Sequence, residues 1–197
     1  TRIDRLERLA MLLRENEAAL CESLQADFGQ RSLSNAAMTE IAYPISAIRY
    51  AQKHLRAWMK DEPRKVALLP RLLGARARVR HQPLGVIGVI SPWNFPVNLA
   101  VAPLTDILAA GNRAMVKPSE HTPRNSALLA ELVARYFSDE EVAVFPGGLE
   151  AGEAFARLPF DHLVFTGAGS IARHVARAAS ENLVPLTLEL GGKSPVI

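Results

Sequence analysis

Gly167-Ala168-Gly169-Ser170-Ile171-Ala172 is a glycine turn between a strand-like run and a helical one. Before it, residues 162–165 form a short apolar run of strand length. After it, residues 171–180 have helical spacing. Strand, glycine turn and helix together fit G-x-G-x-x-G/A, the phosphate-binding turn of dinucleotide folds. Glycines let the backbone approach a pyrophosphate, and the helix N-terminus offers unpaired N–H groups and a positive dipole end. A plain strand–turn–helix that needs two glycines gives the same pattern, so the turn alone leaves both readings open.

Working outward, the alternation continues in both directions. Upstream lie a strand at 86–90, a helix at 97–110 with Pro103 awkwardly inside it, a turn at Gly111-Asn112 and a short strand at 114–116. A helix follows at 124–137, with Thr122 placed to cap it and Pro123 at its first position. Then come a strand at 142–145, the turn Pro146-Gly147-Gly148 and a short helix at 152–158. Downstream, a strand at 186–190 runs into Gly191-Gly192. Strands rich in Val, Ile and Leu, separated by helices, predict an α/β fold. It is a Rossmann-like parallel sheet with helices on both faces.

The first 60 residues read differently. Ile3, Leu6, Leu9, Leu13, Leu20, Leu24 and Phe28 predict one helix over 2–28, stopped by Gly29. Ala37, Ile41, Ile45, Ile48 and Leu55 predict a second over 33–59, which Pro44 kinks or shortens. Residues 61–74 read as a Pro- and Arg-rich linker. Residues 75–80 alternate small or apolar with basic side chains and predict a half-exposed strand, a charged edge or a strand that pairs with a partner subunit. The organisation is thus a helical region at 1–60, a linker and arm strand at 61–82, and a dinucleotide-binding domain at 83–197.

Composition sets bounds. The 197 residues are 49% hydrophobic and 22% charged, ordinary for a soluble globular chain. The net charge is only +3, and its basic excess gathers at Arg64, Lys65, Arg71, Arg76, Arg78 and Arg80 without interleaved aromatics, which argues against nucleic acid. No apolar run approaches the roughly 20 residues of a membrane helix, and no basic-then-apolar leader opens the sequence. Cys21, the single cysteine, excludes a disulfide framework and a cysteine metal site, and predicts the cytoplasm. The apolar ending Pro195-Val196-Ile197 reads as a cut within a longer chain.

Three further stretches carry polar residues at strand ends. Glu189, in Leu188-Glu189-Leu190-Gly191-Gly192, is an edge-strand side chain facing water, a ribose ligand or a tuned acid/base. In Pro92-Trp93-Asn94-Phe95-Pro96 two prolines stiffen the turn. They leave Asn94 either as a fixed donor for a developing oxyanion or as a group that satisfies the turn. In Lys117-Pro118-Ser119-Glu120, the charged pair grips ribose hydroxyls or forms a surface ion pair.

Together with Ile90-Ser91, Met115-Val116 and Phe165-Thr166-Gly167, these stretches occur in the order and approximate spacing of the aldehyde dehydrogenase superfamily, which the whole chain resembles. Ala26-Asp27-Phe28-Gly29 and Val184–Glu189 are similar to the class-3 branch, and within it to the bacterial coniferyl aldehyde dehydrogenases. The resemblance implies oxidation of a small aldehyde, aromatic in the narrower reading, to its acid through a thioacyl-enzyme. It implies NAD as cofactor, with NADP as the alternative, and a homodimer. The family's nucleophilic cysteine falls beyond Ile197, so these residues alone read as a dinucleotide-binding or subunit-contact piece.

By motif position, Asn94 becomes the oxyanion donor and Glu189 the base that activates water. Lys117 and Glu120, with Ser119 beside them, hold the adenine ribose. Ile90, Ser91 and Trp93 line the cofactor cleft, and Gly148 and Gly152 lie near the adenine. Phe165, Thr166, Gly167, Ala168 and Ile171 surround the phosphate turn, and Leu190 lies at the nicotinamide end. The chain departs from the family's usual Ser-Thr after Gly167, where it has Ala168-Gly169. The hydroxyl is lost, and backbone amides are left to meet a phosphate.

Overall fold

A computed structural model describes residues 1–193; Ser194 and the apolar ending Pro195-Val196-Ile197 lie outside the described residues. The predicted helix over 2–28 is two helices, α1 (Arg2–Glu15) and α2 (Glu17–Phe28). Asn16 separates them: its backbone leaves the helix at φ −120°, and its side-chain amide donates to the Leu12 carbonyl at 2.8 Å. An Asn that satisfies a carbonyl one turn back competes with the helix ladder, which hydrophobic periodicity does not register. Gly29 then stops α2 at φ +77°, a left-handed value that favours glycine.

The second predicted helix is continuous but irregular. A short α3 (Leu33–Ala36) passes through a π-helical turn (Ala37–Ala42) into α4 (Tyr43–Trp58). The wide turn falls where Pro44 offers no N–H for the α-helical ladder, and the Tyr43 N–H reaches back five residues to Met38. The stretch 61–74 is more than a linker. It contains β1 (Glu62–Arg64) and α5 (Leu68–Leu72), and β1 pairs antiparallel with β2 (Ala77–Val79). β2 is exposed at every position rather than on alternate ones. Its Arg78, with Arg80 just beyond, grips Asp61.

The main sheet has five parallel strands in the order β5-β4-β3-β6-β7: β3 (Val86–Ile90), β4 (Arg113–Lys117), β5 (Val142–Val144), β6 (His162–Gly167) and β7 (Leu186–Leu190). Between them run α6 (Asn98–Ala110), α7 (Pro123–Tyr136), α8 (Leu149–Ala156) and α9 (Gly169–Ser180). One face presents Ile87, Val89, Ala114, Val116 and Val142 to α6, α7 and, behind them, the N-terminal helices. The other presents Leu163 and Phe165, with Val86, Ile90 and Met115 at their margin, to α8 and α9. Gly88 is required here, since a Cβ would stand 2.6 Å from the Phe160 ring. Cover on both faces is incomplete. On the α6 side, Val164 and Thr166 of β6 and Thr187 and Glu189 of β7 border an open cavity. No described helix is long and apolar enough to cross a membrane.

Thr122 does not cap α7; its hydroxyl turns back to the Ser119 carbonyl. The cap comes from α2, where the Asp27 carboxylate accepts the Arg124 and Asn125 N–H groups at 3.2 and 2.9 Å. A carboxylate satisfies two orphan amides and meets the positive helix end, so it outcompetes a local hydroxyl. On α1, Arg5 and Arg8 both bond Glu141 at the entry to β5, at 2.8 Å. These bonds, led by Arg8, hold the Glu141 carboxyl down at about 2, against an ordinary 4.5.

Two stability predictions follow for the full-length protein. A depressed carboxyl stabilises fully above its unfolded value and loses that contribution as pH falls through the folded one. Glu141→Gln therefore lowers Tm at neutral pH, and the gap to the parent narrows between about pH 4.5 and about pH 2. A gap constant over that window contradicts the ion-pair account. Asp27→Ala removes the cap and costs about 1 kcal/mol in urea unfolding, and Asp27→Asn costs less. Equal losses for the two would mean that packing, not capping, is what Asp27 supplies.

Candidate functional site

Parallel strands deliver their following loops to one edge, and five of them do so here. β3 runs into Ser91–Pro96, β4 into Pro118–Glu120, β5 into Phe145–Gly148, β6 into Ala168 and β7 into Gly191. The chain order reverses at β3, which has β4 on one side and β6 on the other. A crevice outside the carboxyl ends at such a switch point is where open α/β sheets bind ligands.

A cleft of about 530 Å³ lies there, between the strand ends and the α8–α9 pair. Ile90, Lys117, Glu120, Gly148, Gly152, Phe165 and Ile171 all line it. Lys117 is 3% exposed, and its ammonium donates to the Pro118 carbonyl and to Glu120 Oε2 at 3.0 and 3.2 Å. A buried ammonium needs such partners. Glu120 is exposed at the cleft, and its own backbone N–H, then Lys117, hold its carboxyl below the usual range despite partial burial. The pair is thus an ionised acceptor beside a fixed donor. Gly148 and Gly169 have open space where a Cβ would point, and a Cβ on Gly152 would stand 3.7 Å from Lys117 Cε. α9 begins at Ala168 with no side-chain cap, so its first amides have no side-chain acceptor. A cleft with a carboxylate, an ammonium and bare glycine surface, bordered by the first turn of α9 at Ile171, fits a nucleotide carrying ribose hydroxyls and phosphate.

A second, larger cavity of about 1070 Å³ opens on the uncovered sheet face. Asn94, Trp93, Thr166, Gly167, Ala168, Glu189 and Leu190 line it. The structure therefore brings Asn94 and Glu189, far apart in sequence, to one cavity. It places Trp93, Thr166, Ala168 and Leu190 there too, rather than in the α8–α9 cleft. Gly167 has a structural reason as well, because a Cβ would stand 2.7 Å from the Phe165 ring. Two expected residues line neither space. Ser91 is buried, and its hydroxyl has no partner. Ser119 is buried and braces its own loop, its hydroxyl accepting the His121 N–H and its carbonyl taking the Ser126 hydroxyl.

Other residues reach these spaces without a sequence signal that singles them out. Glu153, His174 and Arg177 line the cleft, and His162, bonded to Thr187 at 2.8 Å, lines the cavity. Arg31, which the sequence reading passed over, donates to the Asn94 backbone carbonyl. Cys21 is buried in the N-terminal region, where burial pushes its thiol up and away from reactivity. No cluster of three or more potential ligands among the described residues is placed to hold a metal.

Comparison with known proteins agrees with this geometry. The family model for the aldehyde dehydrogenase family matches residues 1–197. The chain is 57% identical to a probable coniferyl aldehyde dehydrogenase of Caulobacter vibrioides, over 100% of this chain and 41% of that protein. It is 54% identical to a coniferyl aldehyde dehydrogenase of a Pseudomonas species, over 100% and 40%. The chain thus spans about two fifths of the length of the curated relatives it matches. Among solved structures, a substrate-bound Staphylococcus aureus AldH superposes with a TM-score of 0.93 at 35% identity, over 98% of this chain and 42% of that one. A Mycobacterium tuberculosis aldehyde dehydrogenase complexed with NAD+ superposes at 0.83 and 32% identity, over 98% and 39%. With every residue inside the matching family model, this chain belongs to the aldehyde dehydrogenase family.

Proposed function

We propose that the protein containing this chain oxidises an aldehyde to its carboxylic acid with NAD, and that these residues supply the coenzyme cleft and two of the catalytic groups. The observation that carries the reading is the convergence of Asn94 and Glu189 on one cavity, with the Lys117–Glu120 pair in the cleft at the same sheet edge. A coniferyl-type aromatic aldehyde is the narrower proposal, supported by the names of the two similar relatives. The cytoplasm and a homodimer, with the exposed β1–β2 pair as candidate contact, complete it.

Lys117 and Glu120 would hold the adenine ribose, with Gly148 and Gly152 giving the base close access. The amides at the start of α9 would face the pyrophosphate, replacing the hydroxyl that Ala168 lacks. Bound across this edge, the coenzyme's nicotinamide would be the two-electron acceptor for the oxidation. The nucleophile is a thiolate outside these 197 residues. As it attacks the carbonyl carbon, the Asn94 amide donates to the oxygen that gains charge. Glu189 then takes a proton from water as that water attacks the thioester, and the acid leaves. A related reduction of acyl phosphates or acyl-CoA needs no water-activating base, so Glu189 at the open cavity favours hydrolysis.

In the full-length enzyme, Glu189→Gln slows turnover after the first NADH burst by about 10²- to 10⁴-fold and leaves NAD affinity nearly unchanged. Lost NAD binding with normal thioester hydrolysis would sink the assignment. Glu120 accepts from a 2′-hydroxyl and repels a 2′-phosphate, so Glu120→Gln raises kcat/KM for NADP relative to NAD. Substitution that leaves the ratio unchanged removes Glu120 from the ribose.

A further inference from the structure

The turn that carries Asn94 is held from outside by a charged pair. Arg31, in the loop after α2, donates from Nη1 to the Asn94 backbone carbonyl at 3.1 Å. Its other terminal nitrogen bonds Glu40 Oε1. Glu40 Oε2 accepts the Val97 and Asn98 N–H groups at 3.1 and 2.8 Å, at the start of α6. One carboxylate and one guanidinium thus span the turn from Asn94 to Asn98. The guanidinium also lies near Phe28 and Phe95, 5.0 and 5.3 Å from the ring centroids, and Phe28 packs against Trp93 at 6.2 Å.

Stability alone does not explain the pair. Glu40 is fully buried, and the Arg31 side chain is 13% exposed. Replacing such a pair by apolar side chains is often neutral or stabilising, because desolvation cancels the Coulombic gain. An apolar replacement would also leave the Val97 and Asn98 N–H groups without their acceptor, and it could not fix the direction of the Asn94 peptide. The bond from Arg31 meets the backbone from which the amide side chain projects. Glu40 sits in the π-helical turn, an irregularity often found at functional sites.

We propose that Arg31 and Glu40 are positioning residues for Asn94, aiming its amide at the reacting carbonyl oxygen through the loop backbone. The inference rests on the reading of Asn94 as oxyanion donor. A misplacement of about 1 Å at such a donor costs on the order of 10²-fold in rate. Neither residue lines the coenzyme cleft, so the effect belongs to the chemical step and not to NAD affinity.

The test measures the NADH burst and NAD affinity of the full-length enzyme. Arg31→Lys keeps a cation opposite the buried Glu40 but loses the planar fork whose two terminal nitrogens reach the carboxylate and the Asn94 carbonyl separately. Glu40→Gln is a second, nearly isosteric variant that keeps an acceptor for α6. The expected result is a burst slowed about ten- to hundredfold in each, with NAD affinity held within about twofold. In an Asn94→Ala background, adding either substitution changes the burst by less than about threefold, because the loss is already taken. Parent-like bursts in both single variants, beside a slow Asn94→Ala, overturn the positioning role and leave the donor reading intact. Fully additive losses also overturn it, since they mean that the pair acts on the fold alone. A parent-like burst in Asn94→Ala overturns the donor reading itself and this inference with it.

Discussion

Parallel pairing is the constraint on which everything else here depends. Five strands that run the same way must each return through a helix, and each must release its next loop at the same edge. β3 delivers Asn94, β4 delivers Lys117 and Glu120, β6 delivers the glycine turn, and Glu189 lies next to the end of β7. Residues almost a hundred positions apart meet because strand direction leaves them nowhere else to go. The reversal of order at β3 opens the crevice between those loops.

The N-terminal helices act on that edge through charges. Asp27 starts α7, Arg5 and Arg8 hold the entry to β5, and Glu40 with Arg31 holds the start of α6. Each joins a helix or loop of the first 40 residues to an element of the sheet more than fifty residues later. The apolar stripes Leu6–Leu13 and Ile41–Leu55 supply the burial, which is non-directional. The hydrogen-bonded charges supply direction, and direction is what a set of loops around a reaction centre requires.

The inner strands were legible because a strand buried on both faces must be apolar throughout. Val86–Ile90 stands where its apolar run placed it, and β6 only extends its run through Gly167. Leu186–Leu190 stands where its alternate leucines placed it, although four of its five positions are exposed. What the sequence hid was set by interactions distant in the chain, or by single polar side chains. Asn16 breaks a helix whose apolar period is unbroken, and Thr122 loses its capping role to an Asp nearly a hundred residues earlier. The short elements inside 61–74 carry no buried face, so no periodicity marks them. The cleft residues were found because their motifs sit at strand ends. Glu40 was not, because a lone acid within an apolar helical stripe gives no hint of which amides it will meet.

The central claim is that the α8–α9 cleft and the uncapped start of α9 receive a dinucleotide. Amide hydrogen exchange of the full-length protein, with and without saturating NAD, tests it most directly. The account predicts slower exchange in the first turn of α9, from Gly169 to Ala172, and in the loop from Lys117 to Glu120, where ribose and phosphate would take up the free polar groups. Binding of NAD with unchanged exchange in both segments would contradict it.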